Sequence, residues 1–117
     1  MIRTRTAFAM AAVTLLAATQ AQAHAKLLGA NPPVNSTVAA PRQIVLKFSE
    51  RLQPRFSGFD VSKGGARVPM KASIGKDRLS MVGTPASPLA PGAYRIAWHA
   101  VTADTHRMQG AYTFVVR

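Results

Sequence analysis

Between residues 24 and 117 short runs of period-2 apolar alternation recur, and the i, i+3, i+4 spacing of an amphipathic helix is missing throughout. Within Gln43 to Ser49, the residues Ile44, Leu46 and Phe48 fall on one face of an extended segment. Phe59 and Val61 mark another strand, closed by Gly64-Gly65, a pair suited to a tight hairpin turn. Val68 and Met70 are expected on the return strand, with Ala72 and Ile74 following past a bend. Leu79 and Met81 begin a further strand. Tyr94, Ile96 and Trp98 alternate cleanly, as do Tyr112, Phe114 and Val116. Pro32-Pro33, Pro41, Pro54, Pro85, Pro88 and Pro91-Gly92 punctuate the intervals and deny any long helix. About seven short strands with turns every 8–12 residues predict an all-β fold, a Greek-key immunoglobulin-like β-sandwich.

The first 23 residues follow a different pattern. Arg3 and Arg5 precede an uncharged apolar run from Phe8 to Ala18, and the small-residue segment Ala21-Gln22-Ala23 comes next. This is the layout of a secretory signal peptide, and the run is short of the roughly 20 residues that cross a bilayer. The chain is therefore expected to divide into a signal peptide, residues 1–23, and one domain, residues 24–117. Export would place that domain in a bacterial periplasm. Cleavage after Ala23 makes His24 the new N-terminus, whereas a cut after Ala25, which also fits a small-x-small rule, removes it.

Composition narrows the chemistry. With Cys at zero, a disulfide framework, a zinc ribbon, an iron–sulfur site and a cysteine nucleophile are all excluded. Asp and Glu total four, which argues against carboxylate-rich calcium or two-metal sites. The net charge of +11 raises the question of nucleic acid, yet no two basic residues are adjacent and few aromatics interleave with them. No nucleic-acid partner is expected. The charge excess fits a docking surface better.

One stretch concentrates candidate ligands: V-T-A-D-T-H-R-M-Q-G, residues 101–110. Asp104 and His106 project to one face if the backbone is extended, and can still converge if it turns. A processed His24 would add its α-amine and its imidazole, giving three nitrogens and one oxygen. Such a set suits copper(II) or nickel(II), and the divalent affinity order favours copper; zinc is not forbidden. The plainer reading is an aspartate capping a turn beside a solvated histidine. His99 lies on the strand face opposite Tyr94, Ile96 and Trp98, where a hydrogen-bonded or solvent-facing role is expected.

Several segments in order carry a resemblance: H-A-K-L at 24–27, N-P-P at 31–33, A-P-R-Q-I-V-L-K-F-S-E at 40–50, L-A-P-G-A-Y-R-I-A-W-H at 89–99 and A-D-T-H-R-M-Q-G-A-Y-T-F-V-V at 103–116. Together they resemble the CopC/PcoC copper-resistance family of periplasmic copper-binding β-sandwiches. The resemblance implies a non-enzymatic copper(II) carrier or buffer in copper resistance or homeostasis, holding one ion through His24, Asp104 and His106. It also implies Glu50, in F-S-E, as an acceptor near the N-terminal amine. Partners implied are the copper ion and a membrane copper transporter or a periplasmic multicopper oxidase. Some members carry a Met-rich loop for copper(I). Here Val61 to Gly83 holds only Met70 and Met81, so no well-formed copper(I) site is expected, and Met108 is not assigned as a ligand. The competing functions are a non-metal interaction module and a histidine-brace copper oxygenase. Against the oxygenase, Asp104 would fill a place that the reacting oxygen needs.

Overall fold

The computed structural model describes residues 25–117, which form nine strands and no helix. Residues 1–23, read above as a signal peptide, and His24 lie outside the described residues. The strands are β1 (Leu27–Asn31), β2 (Thr37–Val38), β3 (Ile44–Phe48), β4 (Gly58–Lys63), β5 (Ala66–Arg67), β6 (Met70–Ile74), β7 (Ser80–Pro85), β8 (Gly92–Val101) and β9 (Arg107–Val116). They build two facing sheets, a four-stranded one in the order β1-β3-β7-β6 and a five-stranded one in the order β2-β9-β8-β4-β5. All pairings are antiparallel except that of β2 with β9. The all-β sandwich expected from the alternation is what forms.

Alternation in the sequence becomes burial in the structure. Ile44, Leu46 and Phe48 of β3, and Met81 of β7, meet Val61 of β4, Tyr94 and Ile96 of β8, and Tyr112, Phe114 and Val116 of β9. Each such side chain contributes roughly 1.5–3 kcal/mol by leaving water. Where a disulfide would join the sheets of an antibody domain, rings do the work. Phe48 meets Trp98 edge to face at 5.1 Å between centroids, and Tyr94 stacks on Phe114 at 5.3 Å. The Tyr112 hydroxyl donates to the Pro32 carbonyl at 2.9 Å, and burial pushes its phenol up to about 12. Because the unfolded phenol ionises near 10, the stability held by neutral Tyr112 is complete below pH 10 and is lost as the pH rises to about 12.

Three strands were not visible as alternation, and one expectation is corrected. β1 presents no alternating burial, while β2 and β5 are two residues each, too short to show a period. Val68 and Met70 do not share one return strand. The return from Gly64-Gly65 is β5; Val68 still donates its N–H to the Val61 carbonyl, and Met70 then starts β6 in the other sheet. The bend foreseen after Met70 therefore lies before it, at Pro69, and it is a change of sheet. Leu79 precedes β7 and is 36% exposed, while Met81 two residues on is fully buried.

The topology gathers four segments at one end of the sandwich. The start of β1 pairs with the end of β3, Lys47 near that end pairs with Ser80 at the start of β7, and β8 runs into β9. The connections 49–57, 75–79 and 102–106 thus meet where β1 begins.

Candidate metal centre

The β8–β9 hairpin turns through five residues, Thr102 to His106. Thr102 is buried and bridges to Leu52; its carbonyl accepts from the Thr105 N–H at 2.9 Å and from Gln53 Nε2 at 2.6 Å. Its own N–H donates to the His106 carbonyl at 3.1 Å. Thr105 takes a positive φ of 69°, rarely adopted by a β-branched residue, and lets the chain return within this short span. The turn is thus closed by its own hydrogen bonds and braced from outside by the 49–57 connection.

That closure brings Asp104 and His106 together through a turn, not through an extended backbone. Asp104 Oδ2 lies 2.8 Å from His106 Nδ1, and Oδ1 accepts from Thr102 Oγ1 and, at 3.4 Å, from the His106 N–H. The Thr102 hydroxyl, with His106 beside it, lowers the Asp104 carboxyl to about 2. The carboxylate is ionised and aimed at the imidazole. Both side chains are about half exposed, at 48% and 51%, so the pair opens to solvent. The turn-capping role weighed for Asp104 in the sequence is real and coexists with the pairing.

Glu50 is exposed just beyond β3 and shares an open cleft of about 470 Å³ with Ser49, Arg51, Leu79, Ala103 and Asp104. β1 enters beside it. Lys26 donates its N–H to Ser49 Oγ at 2.8 Å, and Ser49 returns its N–H to the Lys26 carbonyl at 2.9 Å. Ala25, just before, is 2% exposed and belongs to the core. Among the described residues no group of three His, Cys, Asp or Glu side chains gathers as a metal cluster, so Asp104 and His106 stand as a pair. His99 sits half-buried on the outer face of its sheet opposite Gln109, and Met108 is half-buried opposite Ala100. Sequence reasoning missed Thr102 and Gln53. The threonine two residues before Asp104 was a legible turn signal, whereas the glutamine arrives from 49 residues away.

Fold and site together define a small β-sandwich domain that presents a fixed carboxylate–imidazole pair at one end. The CopC domain family model matches residues 27–117, a span that includes Glu50, Asp104 and His106. The chain belongs to the CopC domain family. It is 42% identical over 126 residues to copper resistance protein C of Pseudomonas syringae pv. tomato, covering 100% of both chains. It is also 42% identical to copper resistance protein C of Escherichia coli, over 83% of this chain and 84% of that one. The crystal structure of PcoC, a methionine-rich copper resistance protein from Escherichia coli, superposes with a TM-score of 0.76 at 42% identity, over 81% of this chain and 100% of PcoC. CopC from Methylosinus trichosporium OB3b gives 0.71 at 28% identity, over 80% and 93%.

Proposed function

We propose that the protein is an exported, periplasmic copper(II) carrier or buffer whose single ion is held by the processed His24, Asp104 and His106, with Glu50 beside the amine. The observation that carries this reading is the Asp104–His106 pair, braced at the end of the sandwich where β1 begins, in a chain related to copper resistance proteins. Two ligands about 2.0–2.1 Å from one ion and at right angles stand about 2.8–3.0 Å apart. The 2.8 Å between Asp104 Oδ2 and His106 Nδ1 matches that bite, so an ion can replace the shared proton with small side-chain rotations.

Ala25 bears on the N-terminus. A chain cut after Ala25 would surrender a core residue, whereas a cut after Ala23 keeps it and leaves His24 one peptide bond, about 3.8 Å between Cα atoms, from a fixed point. The His24 amine and imidazole would then complete a tetragonal nitrogen and oxygen set, the preference of copper(II). Met81 is fully buried and Met70 packs against the core, which supports copper(II) over a thioether copper(I) site. Carriage without catalysis is the function this site supports best, with transfer to a membrane transporter or a multicopper oxidase as the outlet.

Competitive copper(II) titration of the exported protein against a form carrying one extra residue before His24 tests the reading. Affinity is expected to fall by at least about two orders of magnitude, because the amine leaves the ligand set. Equal affinities would overturn it. Copper(II) should also raise the melting temperature, because binding at a hundredfold excess over Kd adds about 2.7 kcal/mol to the folded state, an effect that a metal-free interaction module lacks.

A further inference from the structure

The two ends of the sandwich differ in how they hold their cations. At the end bearing Asp104 and His106, the exposed side chains of Lys26, Arg51, Arg55, Lys76, Arg78 and Arg107 crowd the segment where β1 begins, the connections 49–57 and 75–79, and the start of β9. No hydrogen bond or ion pair with another described residue holds any of these six side chains. At the opposite end Lys63 donates to the Pro91 carbonyl at 2.9 Å and lies over the Tyr94 ring, and Arg117 donates to the Thr37 carbonyl at 3.3 Å. Those two cations are folded back onto the protein, and Arg42, exposed just before β3, is the cation at that end without such a contact among the described residues.

The backbone beneath the six is fixed. Leu52 donates to the Arg78 carbonyl and Gln53 to the Val101 carbonyl, both at 2.8 Å, tying three connections into one rim. Three large apolar side chains surface on or beside it: Phe56 at 56%, Leu28 at 68% and Leu79 at 36% exposure. Unengaged arginines beside exposed apolar residues on a rigid support are the makings of a protein interface, in which Arg and aromatic residues are enriched.

We propose that this end is a docking face for an acidic patch on a protein partner, so that the Asp104–His106 pair is presented to that partner. Charge complementarity identifies the occupant. Six cations would steer and orient a carboxylate-bearing surface. Glu50, Asp77 and Asp104 stand among them, and a uniform sheet of anionic lipid headgroups would press against all three. A protein surface can set its carboxylates against the arginines and leave those three clear. The face then holds a copper ion and its acceptor within one contact area.

Chemical-shift mapping on the copper-free exported protein tests the proposal independently of any metal site. A short Glu/Asp-rich peptide is the first probe and phosphatidylglycerol vesicles are the second. The peptide is expected to shift amides in 49–56, 76–79 and 102–107. Its affinity should fall at least about tenfold in the double variant Arg51→Glu, Arg78→Glu, and hold in Arg42→Glu, Arg117→Glu. Shifts spread evenly over the sheet faces around Arg67 and Arg95 would overturn the proposal, as would no response to the peptide. Vesicles that engage this end as strongly as the peptide would overturn the choice of occupant. All four substituted side chains are exposed, so the fold is expected to survive each change.

Discussion

Two hairpins of the five-stranded sheet solve the same problem by opposite means. The β4–β5 hairpin turns on Gly64 and Gly65, with φ values of 57° and 82°, and needs nothing from side chains. The β8–β9 hairpin turns through Thr102 to His106, where the single left-handed residue is Thr105, at a cost of about 1–2 kcal/mol. Side-chain and backbone hydrogen bonds offset that cost: Thr102 to Asp104, His106 to Asp104, Gln53 to Thr102. A glycine turn is chemically mute. A turn built from polar side chains leaves a carboxylate and an imidazole facing each other, so closing the loop and orienting the two proposed ligands use the same contacts.

The comparison can be broken at each of its parts. On the proposed copper site, Asp104→Ala and His106→Ala should each lower copper(II) affinity by about two orders of magnitude or more, measured by competitive titration, because each removes a ligand. Gly64→Ala should leave that affinity unchanged within error. Next in size, Thr102→Val keeps the buried volume but removes the hydroxyl that orients Asp104. Affinity should drop about tenfold, as is usual when the group supporting a ligand is lost, with about 1 kcal/mol of stability.

The same variant should raise the Asp104 carboxyl from about 2 towards 3.8. For a lowered carboxylate the stability contribution is complete above 3.8 and is lost as the pH falls to about 2, so the variant gives it up at higher pH. Carboxyl-detected NMR titration reads this directly, and an unmoved Asp104 would separate the threonine from the site. Gly64→Ala places a Cβ at φ 57° and should cost about 1 kcal/mol in chemical denaturation, without touching the metal. The smallest effect belongs to Asp60→Asn, which removes the exposed 3.1 Å pair with Arg67 across the glycine hairpin. It should cost under about 1 kcal/mol and vanish in high salt.

The strands with a buried face were legible because burial on one side writes a period of two into the sequence. Ile44, Leu46 and Phe48, or Tyr112, Phe114 and Val116, allow no other reading. β1 was invisible because, as an edge strand, it buries little, and β2 and β5 because two residues have no period. The sheet change at Pro69 was mistaken for a continuing strand because the apolar residues on either side of it stay in phase. At the candidate site, the approach of Asp104 to His106 was legible because both lie in one loop. Gln53 was not: its contact with Thr102 is a product of topology, and local sequence carries no trace of it.

Ala25 has a consequence for timing. Its side chain is packed into the core at the mouth of β1, one residue beyond the Ala23–His24 peptide bond that the proposed processing must cut. A peptidase needs an extended, accessible segment, and a folded core withholds the residues beside it. Cutting and packing therefore compete for the same few atoms, and the chain that packs first resists the cut. In the proposed maturation the order is trimming, then closure of β1, then loading with metal. On that proposal, a chain still carrying residues 1–23 would have an acylated, non-basic nitrogen where the free amine is needed, and would stay a poor copper scavenger until the cut.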